Sequence, residues 1–97
     1  MRPAAREEIA SPARVQGTAR VFEGNVRIVI RDARGGIAGQ AVTTASAGAP
    51  ERGDYSAMVS YQISGGRQEG VVEVFSPSAV DGTPLSLVRV PVFLLPN

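Results

Sequence analysis

Apolar and polar side chains alternate with a period of two along most of this chain, as in strands that bury one face. In Asn25–Arg31, three branched aliphatic residues share one parity and the arginines share the other. No window shows a helical period, so the pattern predicts strands throughout. The runs of predicted strand are Val15–Val21, Asn25–Arg31, Ile37–Ala45, Tyr55–Ile63, Val71–Phe75 and Leu85–Leu95.

Glycine, proline and aspartate separate these runs. Asp32–Gly36 contains two glycines that can take positive φ, which predicts a hairpin between the second and third runs. The third run, Ile37–Ala45, has few large apolar residues, so we expect it at a sheet edge. Pro91 lies inside the last run and has no amide proton, which indicates an edge strand or a bulge.

Six such runs in fewer than 100 residues predict one immunoglobulin-like antiparallel β-sandwich, a fold of about seven strands. We assign residues 11–97 to this domain and residues 1–10 to a flexible lead-in, with order beginning near Ile9. The residues expected in the interior share the buried parity of their runs: Val26, Ile28, Ile30, Tyr55, Ala57, Val59, Tyr61, Ile63, Val72, Val74, Val88, Val90, Val92 and Leu94.

Composition excludes several kinds of chemistry. The chain of 97 residues has no cysteine, histidine, tryptophan or lysine. It therefore has no disulfides, no zinc site built on cysteine or histidine, no histidine-based proton transfer and no lysine Schiff base. Its ten arginines and nine acidic residues are interspersed, which predicts no nucleic-acid surface.

Membrane and export signals are also missing from the printed sequence. The longest uncharged stretch, Gly35–Pro50, is broken by glycine, threonine and serine, so we expect no membrane insertion. Met1–Glu8 lacks the apolar segment of a signal peptide, which indicates either a cytoplasmic protein or an excised fragment.

Acidic residues at predicted strand ends could form a calcium site, since calcium needs only oxygen ligands, or a catalytic pair of carboxylates. None of them lies in a spaced acidic loop, and a lone turn aspartate usually accepts hydrogen bonds from nearby backbone amides. We therefore predict no metal, no cofactor and no catalysis. The acidic residues considered are Glu23, Asp32, Asp54 and Asp81.

Two binding functions remain. Outward-facing phenylalanines could stack on sugar rings, and the candidates are Phe22, Phe75 and Phe93. Phenylalanine has no polar group to orient a sugar, so a cell-wall carbohydrate-binding module is the alternative. We favour a protein partner or a neighbouring domain.

The protein-binding prediction rests on one sheet face. If the runs beginning at Asn25, Val71 and Leu85 form one sheet, its outer face is unusually apolar and carries arginines around a central carboxylate. A simpler interpretation is a cross-strand ladder in which Glu73 lies between arginines of both neighbouring strands. The face consists of Arg27, Val29, Arg31, Val71, Glu73, Leu87, Arg89, Pro91 and Phe93.

Three segments resemble the immunoglobulin-like domain of bacterial spore germination proteins, a domain often joined to a GerMN domain. They are Ala19–Gly24 (ARVFEG), Ala45–Ala57 (ASAGAPERGDYSA) and Val74–Val92 (VFSPSAVDGTPLSLVRVPV), and the resemblance runs from Ser11 to Leu95. It implies an all-β sandwich, a non-catalytic accessory module and an extracytoplasmic position at the cell envelope. It assigns no binding residues.

Overall fold

The protein is an all-β sandwich, as predicted. The structure, a computed structural model, describes residues 3–19, 25–44, 53–77 and 84–96. None of these residues is helical, and so no helix among them could cross a membrane. The strands are β1 (Glu8–Ile9), β2 (Ala13–Ala19), β3 (Asn25–Arg31), β4 (Ile37–Thr44), β5 (Gly53–Val59), β6 (Gln68–Pro77) and β7 (Pro84–Leu94).

The strands form two sheets. One has five strands in the order β1-β7-β6-β3-β4, and the other pairs β2 with β5. All pairs are antiparallel except β1 with β7. Strands β3, β6 and β7 therefore lie side by side, and β4 lies at the sheet edge, both as the sequence predicts.

The predicted hairpin connects β3 to β4. Asp32 Oδ1 accepts hydrogen bonds from the amides of Arg34 (2.9 Å) and Gly36 (3.0 Å). Gly35 has a φ of 82°, a conformation in which a side chain would be strained. The aspartate and the glycine thus fix the turn.

One dry interior lies between the two sheets. Val26, Ile28 and Ile30 of β3 are buried, and their parity is the predicted one. Burying such a side chain contributes about 1.5 to 3 kcal/mol, so this layer is the main source of stability. The other buried apolar residues of this core are Ile9, Ala13, Val15, Tyr55, Val59, Tyr61, Val72, Val74, Val90, Val92 and Leu94.

Strand ends differ from the prediction. Strand β5 ends at Val59, although the alternation continues to Ile63. Tyr61 still points inward after the chain leaves the sheet, and this is why the pattern outlasts the strand. Strand β2 begins two residues earlier than predicted, and the predicted end at Val21 lies outside the described residues. Strand β6 is longer at both ends. Val88 has the inward parity but is 45% exposed, so the core does not extend to this position of β7.

The lead-in contributes a strand that the pattern does not indicate. Glu8 and Ile9 pair with Phe93 and Leu94, and the amides of Phe93 and Leu95 donate to Glu7 O and Ile9 O (both 2.9 Å). Backbone groups of alternate residues in a strand point to the same side. The nitrogen of Pro91 therefore points towards the N-terminal segment, as the amides of Phe93 and Leu95 do, and away from β6. The missing proline amide therefore costs no hydrogen bond to β6. The predicted edge position is wrong for β7, because β1 pairs with its end and lies outside it in the sheet.

Tyr61 connects the β1–β7 strand pair to the rest of the core. Its hydroxyl lies 2.9 Å from Ile9 O and 2.8 Å from Leu95 O, and its single proton can be donated to either. Its amide donates to Ser11 Oγ at 3.0 Å. Burial raises the pKa of Tyr61. Burial also raises the pKa of Tyr55.

Stability should therefore fall at alkaline pH through the tyrosines. A raised pKa means that the folded state binds the phenolic proton more tightly than the unfolded state does. The stabilisation is complete below the unfolded pKa of about 10 and is lost as pH rises towards the folded pKa. We expect urea midpoints to decline above about pH 10, with no contribution from histidine, cysteine or lysine, which the chain lacks.

Tyr61→Phe is the matched variant for this prediction. It removes the proton and leaves Leu95 O without that donor, so it should cost about 1 to 2 kcal/mol at neutral pH. Its alkaline decline should be smaller than that of the wild type, because only Tyr55 then titrates in the core. An unchanged alkaline decline would show that Tyr61 does not couple to folding.

Candidate functional site: the outer face of the five-stranded sheet

The outer face of the five-stranded sheet gathers the predicted interaction residues. Strand register aligns Val29, Glu73 and Arg89 across β3, β6 and β7. It aligns Arg31, Val71 and Pro91 in the next row. The predicted residues of these rows therefore share one surface, which we call the outer face.

A buried carboxylate lies at the centre of the outer face. Glu73 Oε1 is 2.6 Å from Arg31 Nε, and Glu73 Oε2 is 2.9 Å from Arg89 Nε. Arg31 also donates to Gly35 O at 2.9 Å. Glu73 thus lies between arginines of both neighbouring strands, which is the ladder that the simpler interpretation described.

A second ion pair lies at the end of the outer face near Phe93. Arg67 Nε is 2.7 Å from Glu8 Oε2, and its guanidinium carbon lies 4.2 Å from the centre of the Phe93 ring. This cation–π contact covers one face of the ring. Phe93 therefore does not present that face for stacking on a sugar.

The predicted surface is less open than expected. Val29 is only 5% exposed and Glu73 only 7%, so both belong to the closed centre of the outer face. Arg27 and Arg89 are exposed, and Arg31, Val71 and Phe93 are half-buried. The expectation that all these side chains face solvent is wrong for Val29 and Glu73: Val29 lies in the central strand pair opposite Glu73, and Glu73 is contacted by arginines from both sides. The side chain of Leu87 lies outside the described part.

Two exposed apolar side chains on the outer face of β4 were missed by the sequence prediction. Val42 is 66% exposed and is the cross-strand partner of Arg27; Ile37 is 56% exposed and is the partner of Arg31. Both lie on the outer face of β4. The signal that could have found them is the hairpin register, which transfers the outward parity of the β3 arginines to β4.

A groove crosses β6 and β7 on the outer face, between the N-terminal segment and the β3–β4 hairpin. Its volume is about 410 Å³, and we call it the Arg6 groove. Arg6 has a φ of 65°, a region disfavoured by about 1 to 2 kcal/mol for a residue with a side chain. Its amide donates to Pro91 O at 2.6 Å. The side chains that matter here are Arg6, Asp32, Glu69, Val71, Pro91 and Phe93.

The acidic residues considered for a metal do not assemble in the part of the chain that the structure describes. No group of three potential ligands occurs among those residues. Asp32 holds the hairpin, and Asp54 is exposed on β5 in the other sheet. Glu23, Asp81 and Phe22 lie outside the described ranges, and Phe75 is half-buried.

A family model for the immunoglobulin-like domain of bacterial spore germination matches residues 1–83. The chain belongs to this family. Comparisons with curated proteins and with solved structures gave no match.

Proposed function

We propose that this spore-germination immunoglobulin-like domain is a non-catalytic interaction module. It docks a protein partner or a neighbouring domain through the outer face, within a protein that acts outside the cytoplasm at the cell envelope. The observation that carries the proposal is an outer face whose central charges are already paired, next to two exposed apolar side chains on β4.

The pairing of charges favours docking because burying a lone charge is costly. Glu73 contacts both Arg31 and Arg89, and Glu8 contacts Arg67. A partner that covers these groups finds each carboxylate already compensated. The exposed pair of Glu8 with Arg67 adds at most about 1 kcal/mol of stability, and these pairs are not needed as a source of stability. Their larger effect is to make the centre of the outer face compatible with a covering surface.

The exposed apolar groups supply the attraction. Val42 and Ile37 project from β4 beside Arg27 and Arg31. Arginine beside apolar side chains is typical of the centre of protein interfaces, where lysine and glutamate are depleted. Burial of these two side chains by a partner gives a favourable transfer free energy. Arg27 can pair with a carboxylate of the partner.

The non-catalytic part of the proposal rests on residue chemistry. A serine nucleophile needs a base, and the chain has no histidine or lysine to serve. The most buried carboxylate of the outer face, Glu73, is held between two arginines and has no free oxygen for proton transfer. The family assignment supports an accessory role in a germination-associated protein.

A capture experiment with a double variant tests the docking surface. We expect Ile37→Glu with Val42→Glu to reduce partner retention from envelope extract at least tenfold. Met58→Glu is the matched control, because Met58 is 53% exposed on β5 in the other sheet. Both variants should keep the wild-type melting temperature, since each new charge faces water.

The readout is quantitative mass spectrometry of retained proteins, followed by hydrogen exchange on the purified complex. Protection should map to β4 and the outer face. Equal retention by the double variant and the wild type would refute the docking surface. Retention of wall polysaccharide in place of protein would favour the carbohydrate alternative.

A further inference from the structure

We propose that the Arg6 groove binds a small zwitterion, an apolar α-amino acid with a free ammonium group and a free carboxylate. The groove measures about 410 Å³, within the range of roughly 300 to 1,000 Å³ that is usual for ligand sites. This proposal does not rest on the docking function, because the groove lies at the N-terminal edge of the outer face and offers its own charged groups.

Unpaired charges of opposite sign flank the groove. Arg6 and Glu69 form no ion pair or side-chain hydrogen bond with any residue in the described ranges. Elsewhere on the outer face, Glu73 and Glu8 are both paired with arginine. A guanidinium recognises a carboxylate with charge-assisted hydrogen bonds, and a carboxylate recognises an ammonium group in the same way.

A fixed carboxylate strengthens the cation-binding side. Asp32 lines the groove while its Oδ1 accepts two backbone amides of the hairpin, so its position does not depend on the ligand. Glu69 and Asp32 give the groove more negative than positive charge, which favours an ammonium group on the ligand, and Arg6 adds a contact for a carboxylate.

The floor of the groove is apolar. Val71 and Pro91 are cross-strand partners on the outer face, and Glu69 is the partner of Phe93. An apolar side chain laid on this floor is removed from water between the two charged ends. An apolar amino acid therefore matches the groove better than an ion without a hydrocarbon part.

The backbone of Arg6 provides an independent indication. Its φ of 65° is uncommon for a residue other than glycine, asparagine or aspartate. The hydrogen bond to Pro91 O holds this conformation beside β7. Strained residues of this kind cluster at ligand sites, where the strain positions a group before binding. Here the strained residue is the one that carries the unpaired guanidinium.

Blocked amino acids test the two charges separately. We would titrate the ¹⁵N-labelled domain with L-leucine, N-acetyl-L-leucine and L-leucinamide. L-Leucine should shift the amide signals of Arg6, Glu69 and Val71, and each blocked compound should bind at least fivefold more weakly. Equal binding of all three compounds would overturn the zwitterion proposal, as would the absence of saturable shifts with leucine.

Groove variants complete the test. Arg6→Gly removes the guanidinium at a position whose φ suits glycine, and Glu69→Gln removes the carboxylate charge. Each should weaken leucine binding at least fivefold, with an unchanged or higher melting temperature for Arg6→Gly. Arg27→Gln and Asp54→Asn are controls outside the groove and should bind as the wild type does.

If Arg6→Gly proves unfolded, Arg6→Gln serves in its place, because it keeps the backbone and removes the charge. Wild-type affinity in the folded Arg6 variant or in Glu69→Gln would refute the proposal, and so would equal losses in the controls. Docking at β4 is measured separately with the Ile37 and Val42 variant, so a negative result for amino-acid binding does not decide the docking proposal, and the reverse also holds.

Discussion

Gly39→Ala is expected to destabilise the domain by about 3 kcal/mol or more. Gly39 lies on β4 opposite Ile30, where β4 meets the segment that follows β5. A Cβ placed there would overlap Ser60 O and would lie 2.9 Å from Tyr61 Cβ and 3.0 Å from Tyr61 Cα. Backbone atoms cannot rotate away as a flexible side chain can, so β4 and residues 60–61 would have to move apart.

Urea unfolding of Gly39→Ala and Gly66→Ala measures this effect. A Cβ added at Gly66 would meet no heavy atom within 4 Å, and the φ of Gly66 is not in the left-handed region. Its alanine variant should therefore differ from wild type by about 0.5 kcal/mol at most. Equal midpoints for the two variants would mean that β4 and residues 60–61 are not packed as closely as the structure shows.

Val29→Glu should prevent folding or cost at least about 3 to 5 kcal/mol. Val29 is buried on the outer face, and its cross-strand partner is the buried Glu73. The new carboxylate would lie opposite another carboxylate, with both arginines next to Glu73 already engaged. Desolvation and like-charge repulsion therefore act together.

Val42→Glu is the control for this prediction, because the same substitution on the same face meets water. It should change stability by no more than about 0.5 kcal/mol. Thermal melting of both variants at pH 7 and pH 4 tests the mechanism, since protonation at low pH should partly rescue Val29→Glu. Similar melting temperatures for the two variants at pH 7 would show that the centre of the outer face is open.

Much of the fold follows from parity alone. The alternation in Asn25–Arg31 predicts which residues of β3 enter the core, and Asp32–Gly36 predicts the hairpin. Both features are local, because side-chain direction in a strand and turn chemistry depend on neighbouring residues. The edge position of β4 follows in the same way from its small side chains.

Features set by distant contacts were not predictable in this way. Strand β1 has two residues, too few for a periodic pattern, and it exists because β7 offers backbone partners. Val29 has the outward parity yet is buried, at a position between Gln40 and Glu73 on the two neighbouring strands. The Arg6 groove likewise combines four separate segments, and no short stretch of sequence carries its signal.

The parallel pairing of β1 with β7 has a mechanical consequence. Pulling the chain upstream of Glu8 against the chain downstream of Leu94 would slide these two strands along each other. The bonds from Phe93 and Leu95 to the first strand, and the contacts of the Tyr61 hydroxyl, would then carry the load together and would have to rupture nearly at once. The domain should therefore resist tension along its own chain better than a domain whose terminal strand pair is pulled apart one hydrogen bond at a time.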